Sequence, residues 1–260
     1  IALPSSDFDL TDHEDTRRVI GNLHPDVIIN CAAYTNVDGA EEEQQKAFSV
    51  NGEGVANLAA YSADHAIKLI HFSSDYVFPG DKKDREKFPD GYTEEHPTDP
   101  VNAYGKSKLE GEIAIKESGC DHLIIRTSWL CGQFGKNFVK TMLKLAEEKN
   151  NLKVVDDQFG CPSFTTEVVK NTWKLLEAEE NGLFHLTSKG CISWYEFAKE
   201  LFKLREIEVE IIPVQSSEYP TKAKRPAFSL LSTQKIANIP GVSIIDWKEG
   251  LQNLLDQLTQ

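Results

Sequence analysis

The sequence predicts an α/β protein, a Rossmann-like doubly wound parallel sheet followed by a smaller mixed α/β unit. Three observations carry that expectation. Strand signals and helix signals alternate through the first half of the chain. The strand signals are short continuous apolar runs, the pattern of strands covered by helices on both faces. Three of those runs end in small, polar or aromatic residues: Ala32-Ala33-Tyr34, Ser73-Ser74-Asp75 and Ser128-Trp129. In doubly wound sheets the working site lies beyond the carboxyl ends of the strands, so three strands deliver such residues to one edge.

Taken in order, Thr11-Asp12-His13-Glu14 reads as a capping box opening a helix that runs to about Leu23, with Pro25 as its stop. Val27-Ile28-Ile29-Asn30 reads as a strand buried on both faces and leads into Cys31-Ala32-Ala33. Helical patterns follow over 39–48 and 55–65, then a second buried strand, Lys68-Leu69-Ile70-His71-Phe72. The stretch 80–100 is polar, charged and punctuated by Pro and Gly, hence an exposed loop. A helix carrying Tyr104 and Lys108 comes next, and His122-Leu123-Ile124-Ile125-Arg126 is a third buried strand. Past about Gly132, helices over 137–149, 165–179 and 193–204 alternate with short strands near 153–155, 182–186 and 209–213. Ser193-Trp194-Tyr195-Glu196 is a second capping box. The expected division is 1–132 for the sheet domain and 133–260 for the smaller one, with the strand near 183–186 returning to the sheet.

Composition narrows the function classes. With 260 residues, 40% of them hydrophobic, the chain can bury a full core. No apolar run approaches membrane-spanning length, and no charged-then-apolar leader opens the sequence, so a cytoplasmic protein with no membrane partner is expected. A net charge of −13 argues against nucleic acid as a partner, while a locally basic pocket for a small anion stays open. The five cysteines are odd in number, scattered and free of any C-x-x-C pair, so they read as reduced thiols and not as a metal site. The seven histidines show no ligand spacing, and His71, inside an apolar run, reads as a core residue.

The chemistry-bearing pattern is Ser74 together with Tyr104 and Lys108, the latter two in Ala103-Tyr104-Gly105-Lys106-Ser107-Lys108. Positions i and i+4 share one helical face, which sets the amine beside the phenol. A phenol titrates near 10 in water; bringing it close to neutrality takes about 3–4 kcal/mol, which a fixed cation nearby can supply. Such a pair can move a proton to or from an oxygen while a hydride moves at the adjoining carbon. Tyr-x-x-x-Lys alone is common by chance, and its weight comes from the neighbouring strand ends.

Longer motifs carry a family resemblance: Phe8-Asp9-Leu10-Thr11-Asp12, the run from Pro25 through Asp38, Phe72-Ser73-Ser74-Asp75-Tyr76-Val77-Phe78, Tyr104 through Glu112, Arg126-Thr127-Ser128-Trp129, Asp156-Asp157-Gln158-Phe159-Gly160 and Arg225-Pro226. Through these the chain resembles the extended short-chain dehydrogenases/reductases, and among them the dTDP-4-dehydrorhamnose reductases, over essentially its whole length. The resemblance implies a reductase that takes NADPH or NADH and reduces carbon 4 of a nucleotide-linked 4-keto-6-deoxy sugar. It implies Tyr104 as the acid/base, Lys108 as the residue that lowers its pKa and holds the nicotinamide ribose, and Ser74 on the reacting carbonyl. It places Asp9 and Leu10 by the adenine end of the cofactor and Ala33, Tyr34, Thr35 and Phe72 along its path. Asp75 and Trp129 would contact the sugar; Asn137, Lys140 and Arg225 would meet the diphosphate. Some relatives dimerise through a bound magnesium ion, and the carboxylates here leave both the homodimer and the ion open.

One departure stands out. A glycine-rich turn after a first strand, which binds the cofactor pyrophosphate in such folds, has no counterpart in the sequence. The chain is expected to open near the third strand of the family, with roughly thirty residues of a longer protein preceding it. In the order 3-2-1-4-5-6 such a chain would leave a gap between its third and fourth strands. Rival readings are a 4,6-dehydratase, disfavoured because Asp75 is followed by Tyr76 and not by Glu, another nucleotide-sugar reductase or epimerase, and a non-catalytic regulatory subunit of methionine adenosyltransferase.

Overall fold

The computed structural model describes residues 1–4 and 6–259. Its centre is a four-stranded parallel sheet. Strand β1 (Val27–Asn30) pairs with β2 (Lys68–Ser74), β2 with β3 (His122–Thr127), and β3 with the strand Gly182–His185. Alternate residues feed the two faces, as a strand's two-residue period requires. Leu69 and Ile124 join Leu10, Ile20, Val55, Leu58 and Ile115 on one side. Ile70, Leu123 and Ile125 join Val168, Leu175, Phe184 and Ile236 on the other. Helices therefore cover both faces, as the apolar runs predict.

The first strand differs from that expectation. Ile29 is 48% exposed, and Cys31 just beyond it is exposed as well. β1 is the last strand on its side of the sheet, so one flank has no neighbour to cover it. The opening segment Ile1–Pro4 forms no strand, and the flank of β1 on which the order 3-2-1-4-5-6 sets further strands has no partner among the described residues. An extended segment without a ladder partner has nothing to fix it as a strand.

Helix starts follow their caps. The first helix, His13–Leu23, is capped by Asp12 and not by the expected Thr11: Asp12 accepts from the Asp15 amide at 2.9 Å, while the Thr11 hydroxyl is taken by Asp9 at 2.7 Å. It ends at His24, in the left-handed region at φ 46, one residue before Pro25. The pattern over 39–48 resolves into two short helices, Val37–Glu42 and Gln44–Phe48. A wide π-turn, Ser49–Glu53, then leads into Gly54–His65.

The helix Ala103–Ser118 begins at Asn102, whose side chain accepts from the Gly105 amide at 2.8 Å, and ends at Gly119 with φ 72. Two glycines let it lie close to its neighbours. A Cβ at Gly105 would come within 2.2 Å of the Tyr76 carbonyl oxygen, and one at Gly111 within 2.3 Å of the Asn51 carbonyl oxygen.

The rest of the chain builds a second apolar cluster around Phe164, Phe197, Leu201, Phe228 and Trp247. A parallel pair, Asn151–Val155 with Glu210–Val214, lies against the helix Trp194–Leu204. The Ser193–Glu196 capping box that the sequence predicts is present. No helix among the described residues is long and apolar enough to cross a membrane.

Candidate active site

The carboxyl ends of β2 and β3 and the first turns of the Tyr104 helix meet at one edge. Ser74, 6% exposed, ends β2; its hydroxyl accepts from the Tyr76 amide at 3.1 Å and donates to Asp75 at 2.9 Å. The same hydroxyl lies near enough to the Tyr104 phenol to draw its pKa down. Tyr104 packs edge-on against Tyr76, their ring centroids 5.6 Å apart. Burial is the stronger influence on the phenol and, with the Asp75 charge, holds it well above its ordinary value.

The expectation that Lys108 acidifies Tyr104 draws no support from this arrangement. Lys108 is 2% exposed and its Nζ is engaged elsewhere: it donates to the Phe72 carbonyl at 2.6 Å and lies 3.2 Å from His71 Nε2. Burial pushes Lys108 itself down to about 8, against the pull of Glu112. With its pKa at about 8 the amine keeps most of its charge at neutral pH, but its hydrogen-bond contacts are with Phe72 and His71 and not with the phenol.

Asp75 is the other perturbed acid. Burial raises it to about 6, opposed by the nearby Ser229 hydroxyl and the hydrogen bond from Ser74, and its Oδ2 is buried without a partner. Arg225 reaches the same region from the far end of the chain. It donates to the Tyr76 hydroxyl at 3.1 Å and pairs with Asp38 at 2.8 Å. Its charge is thus already matched, which qualifies the expectation that it meets a diphosphate.

The remaining expected residues divide. Tyr34 is held by Asn51, which accepts from its amide at 2.8 Å and donates to its carbonyl at 3.0 Å. Ala33 is half-buried and Thr35 exposed on the same turn after β1. Phe72 gives its carbonyl to Lys108 and packs its ring on the sheet core. Asp9 sits with Thr11, Glu42, Lys46 and Val50 around an open groove of ≈ 640 Å³. Leu10, by contrast, is a core residue, 9% exposed.

Trp129, at φ 46, was expected to offer its ring to a sugar. One face of its indole stacks on Trp194 at 3.6 Å, with Gly160 close by, and the residue stays partly exposed. Asn137 is spent on capping the helix Phe138–Glu148 and on the Gly132 carbonyl, and Lys140 Nζ donates to the Gln133 carbonyl at 3.1 Å. Asn137 thus has a structural role of its own, while Lys140 keeps its charge and two further donors.

Three contributors escaped the sequence reading. Asn51, fully buried in the π-turn, ties the Tyr34 turn to Ser107 on the Tyr104 helix through a 2.9 Å bond. Tyr76 and Asp38 connect Arg225 to Tyr104. Tyr76 and Asp38 lie inside the family motifs, whereas Asn51 follows the short polar helix Gln44–Phe48 with no local signal.

The residues fit the nicotinamide half of a dinucleotide: two hydroxyls, a buried amine and small residues converge beyond the strand ends. The groove by Asp9 is lined by Glu42 and Glu43 as well as Lys46. Among the described residues of one chain, no group of three or more His, Cys, Asp or Glu side chains converges to hold a metal ion.

A parallel sheet wrapped on both faces, with serine, tyrosine and lysine gathered at its carboxyl edge, defines the Rossmann-type dehydrogenase/reductase class. A family model described as RmlD substrate binding domain matches residues 1–260, and the chain belongs to that family. It is 39% identical to the spore coat polysaccharide biosynthesis protein SpsK of Bacillus subtilis, covering 99% of this chain and 88% of that one. It is 38% identical to a dTDP-4-dehydrorhamnose reductase of Sinorhizobium fredii, covering 98% and 88%. Among solved structures, the dTDP-4-dehydrorhamnose reductase of Bacillus anthracis in complex with NADP superposes with a TM-score of 0.93 at 36% identity, covering 98% and 89%. The Clostridium acetobutylicum ortholog gives 0.95 at 38%, covering 100% and 90%.

Proposed function

We propose that the chain is an NAD(P)H-dependent dTDP-4-dehydrorhamnose reductase, reducing carbon 4 of dTDP-4-dehydro-6-deoxy-L-mannose to give dTDP-L-rhamnose for cell-surface polysaccharide. The observation that carries the reading is the convergence of Ser74, at the end of β2, and the buried Tyr104 at the carboxyl edge, with Lys108 one helical turn along.

A reduced nicotinamide, when bound, supplies the hydride. Ser74 holds the carbonyl oxygen by donating a hydrogen bond. Tyr104, kept protonated by its burial, gives its proton to that oxygen as negative charge develops on it. Asp75 offers its unpartnered Oδ2 to a sugar hydroxyl. Elimination would need a base beside Asp75, and Tyr76 fills that position with a phenol whose pKa burial raises. Reduction without loss of water is therefore the better fit.

The experiment is NADPH oxidation dependent on dTDP-4-keto-L-rhamnose, NADPH being tried first because the Bacillus anthracis relative was solved with NADP. Turnover to dTDP-L-rhamnose supports the reading. Nucleotide binding without turnover, joined to tight association with methionine adenosyltransferase, favours the regulatory-subunit reading instead.

A further inference from the structure

Asn30 and His71 face each other across the parallel β1–β2 ladder, and both side chains are buried, at 5% and 0% exposure. They belong to a relay whose polarity is set at one end. The Ala32 backbone amide can only donate, and it donates to Asn30 Oδ1 at 3.0 Å. Asn30 Nδ2 is thereby left facing His71 Nδ1 at 3.1 Å; as a donor it requires a lone pair there. Burial keeps the ring neutral, its pKa well below the ordinary value, and any charge on Lys108 acts in the same direction. A neutral imidazole with a bare Nδ1 carries its hydrogen on Nε2. Nε2 lies 3.2 Å from Lys108 Nζ, which also donates to the Phe72 carbonyl. An ammonium at that point would set N–H against N–H. A neutral amine offers its lone pair to Nε2–H and still donates to Phe72.

Resting on the reading of Lys108 as the partner of Tyr104, we propose that His71 is a positioning residue for that lysine. Locked as the Nε2–H tautomer by the relay from the Ala32 amide, it donates to the Lys108 amine and favours its uncharged form. The other groups facing Lys108 do not reverse this. From β2 there is only the Phe72 carbonyl, and Tyr104, one turn back on its own helix, carries an un-ionised phenol. Glu112, one turn on, favours the charged amine, but it is itself paired with Arg126 of β3 at 2.6 Å and hydrogen-bonded by Ser73. Lys108 then gains or loses its charge at about pH 8.

Two measurements on the full chain without nucleotide test this. The first is a long-range 1H–15N correlation of the histidine rings, with His71 assigned in the unsubstituted protein through its own Cβ. The proposal expects the Nε2–H tautomer throughout pH 6–9; an Nδ1–H or doubly protonated ring overturns it. The second is a titration of 13Cε-labelled lysine. Lys108 is expected to titrate with a midpoint of about 8. In His71→Gln, whose amide oxygen can accept from an ammonium, the midpoint should rise by about one pH unit. An unchanged midpoint in folded His71→Gln or His71→Asn overturns the proposal, and if neither variant folds the tautomer decides alone. Neither readout needs turnover: a protein that shows both signatures yet fails to reduce the sugar nucleotide refutes the assigned reaction and leaves the relay standing.

Discussion

Asp75 is 2% exposed, and one of its carboxylate oxygens has no partner, so its ionised form is held at a cost. Below about pH 3.8 the carboxyl is protonated in both the folded and the unfolded chain, and the cost is absent. Between 3.8 and about 6 the unfolded chain releases its proton first, so the folded state loses ground as pH rises. Above about 6 the penalty is complete, on the order of 3 kcal/mol. Asp75→Asn should therefore raise the melting temperature at pH 7.5 and lose that advantage near pH 4. Thermal unfolding of both proteins across that range checks it, and an equal difference at both ends would contradict it. At this scale the sequence exposed Ser74, Tyr104 and Lys108, because spacing on a helix and position at a strand end are local properties. It hid the state of Lys108. His71 sits among apolar sequence neighbours and reads as core, and only the β1–β2 register brings Asn30 to its side.

The Tyr104 helix does more for the site than present two side chains. Gly111 lets it rest on the π-turn at Asn51, and Gly105 lets its first turn reach the Tyr76 backbone. Gly111→Ala forces a methyl into a backbone oxygen with no room to yield, so a loss of about 1–3 kcal/mol in denaturant unfolding is expected. A neutral result would mean that the helix and the π-turn can separate freely. The same helix carries Glu112, fully buried, against Arg126 at 2.6 and 2.8 Å. Arg126→Met strands that carboxylate and should cost about 3–5 kcal/mol, with much of it recovered when Glu112→Leu is added. A double-mutant cycle in urea reads both values; strict additivity would contradict the pairing. Strands and the longer helices were legible from apolar runs and caps, as the Ser193–Glu196 box illustrates. The π-turn and the split over 37–48 were not, since they answer to packing against the Tyr104 helix and not to any local breaker.

Across the whole molecule, the sheet is shared. The strand Gly182–His185 completes it, and Val168, Leu175 and Ile236 pack on the same face as Ile70 and Ile125. We accordingly propose the division 1–132 and 133–260 as a functional one, with the returning strand joining them into a single folding unit. Circular dichroism and tryptophan fluorescence should give coincident unfolding curves, whereas separated transitions would show that the two parts melt independently. The parallel sheet and its carboxyl edge were legible because strand ends announce themselves in sequence. The open flank of β1 was not, because an apolar run looks the same whether or not a neighbour covers it; Ile29 shows the difference. The central claim is that the Tyr104 phenol delivers the proton in a hydride reduction. Single-turnover kinetics of Tyr104→Phe with NADPH and dTDP-4-keto-L-rhamnose test it most directly. The account predicts a rate lower by about 10²–10⁴-fold with NADPH affinity retained, and hydride transfer at the unsubstituted rate would contradict it.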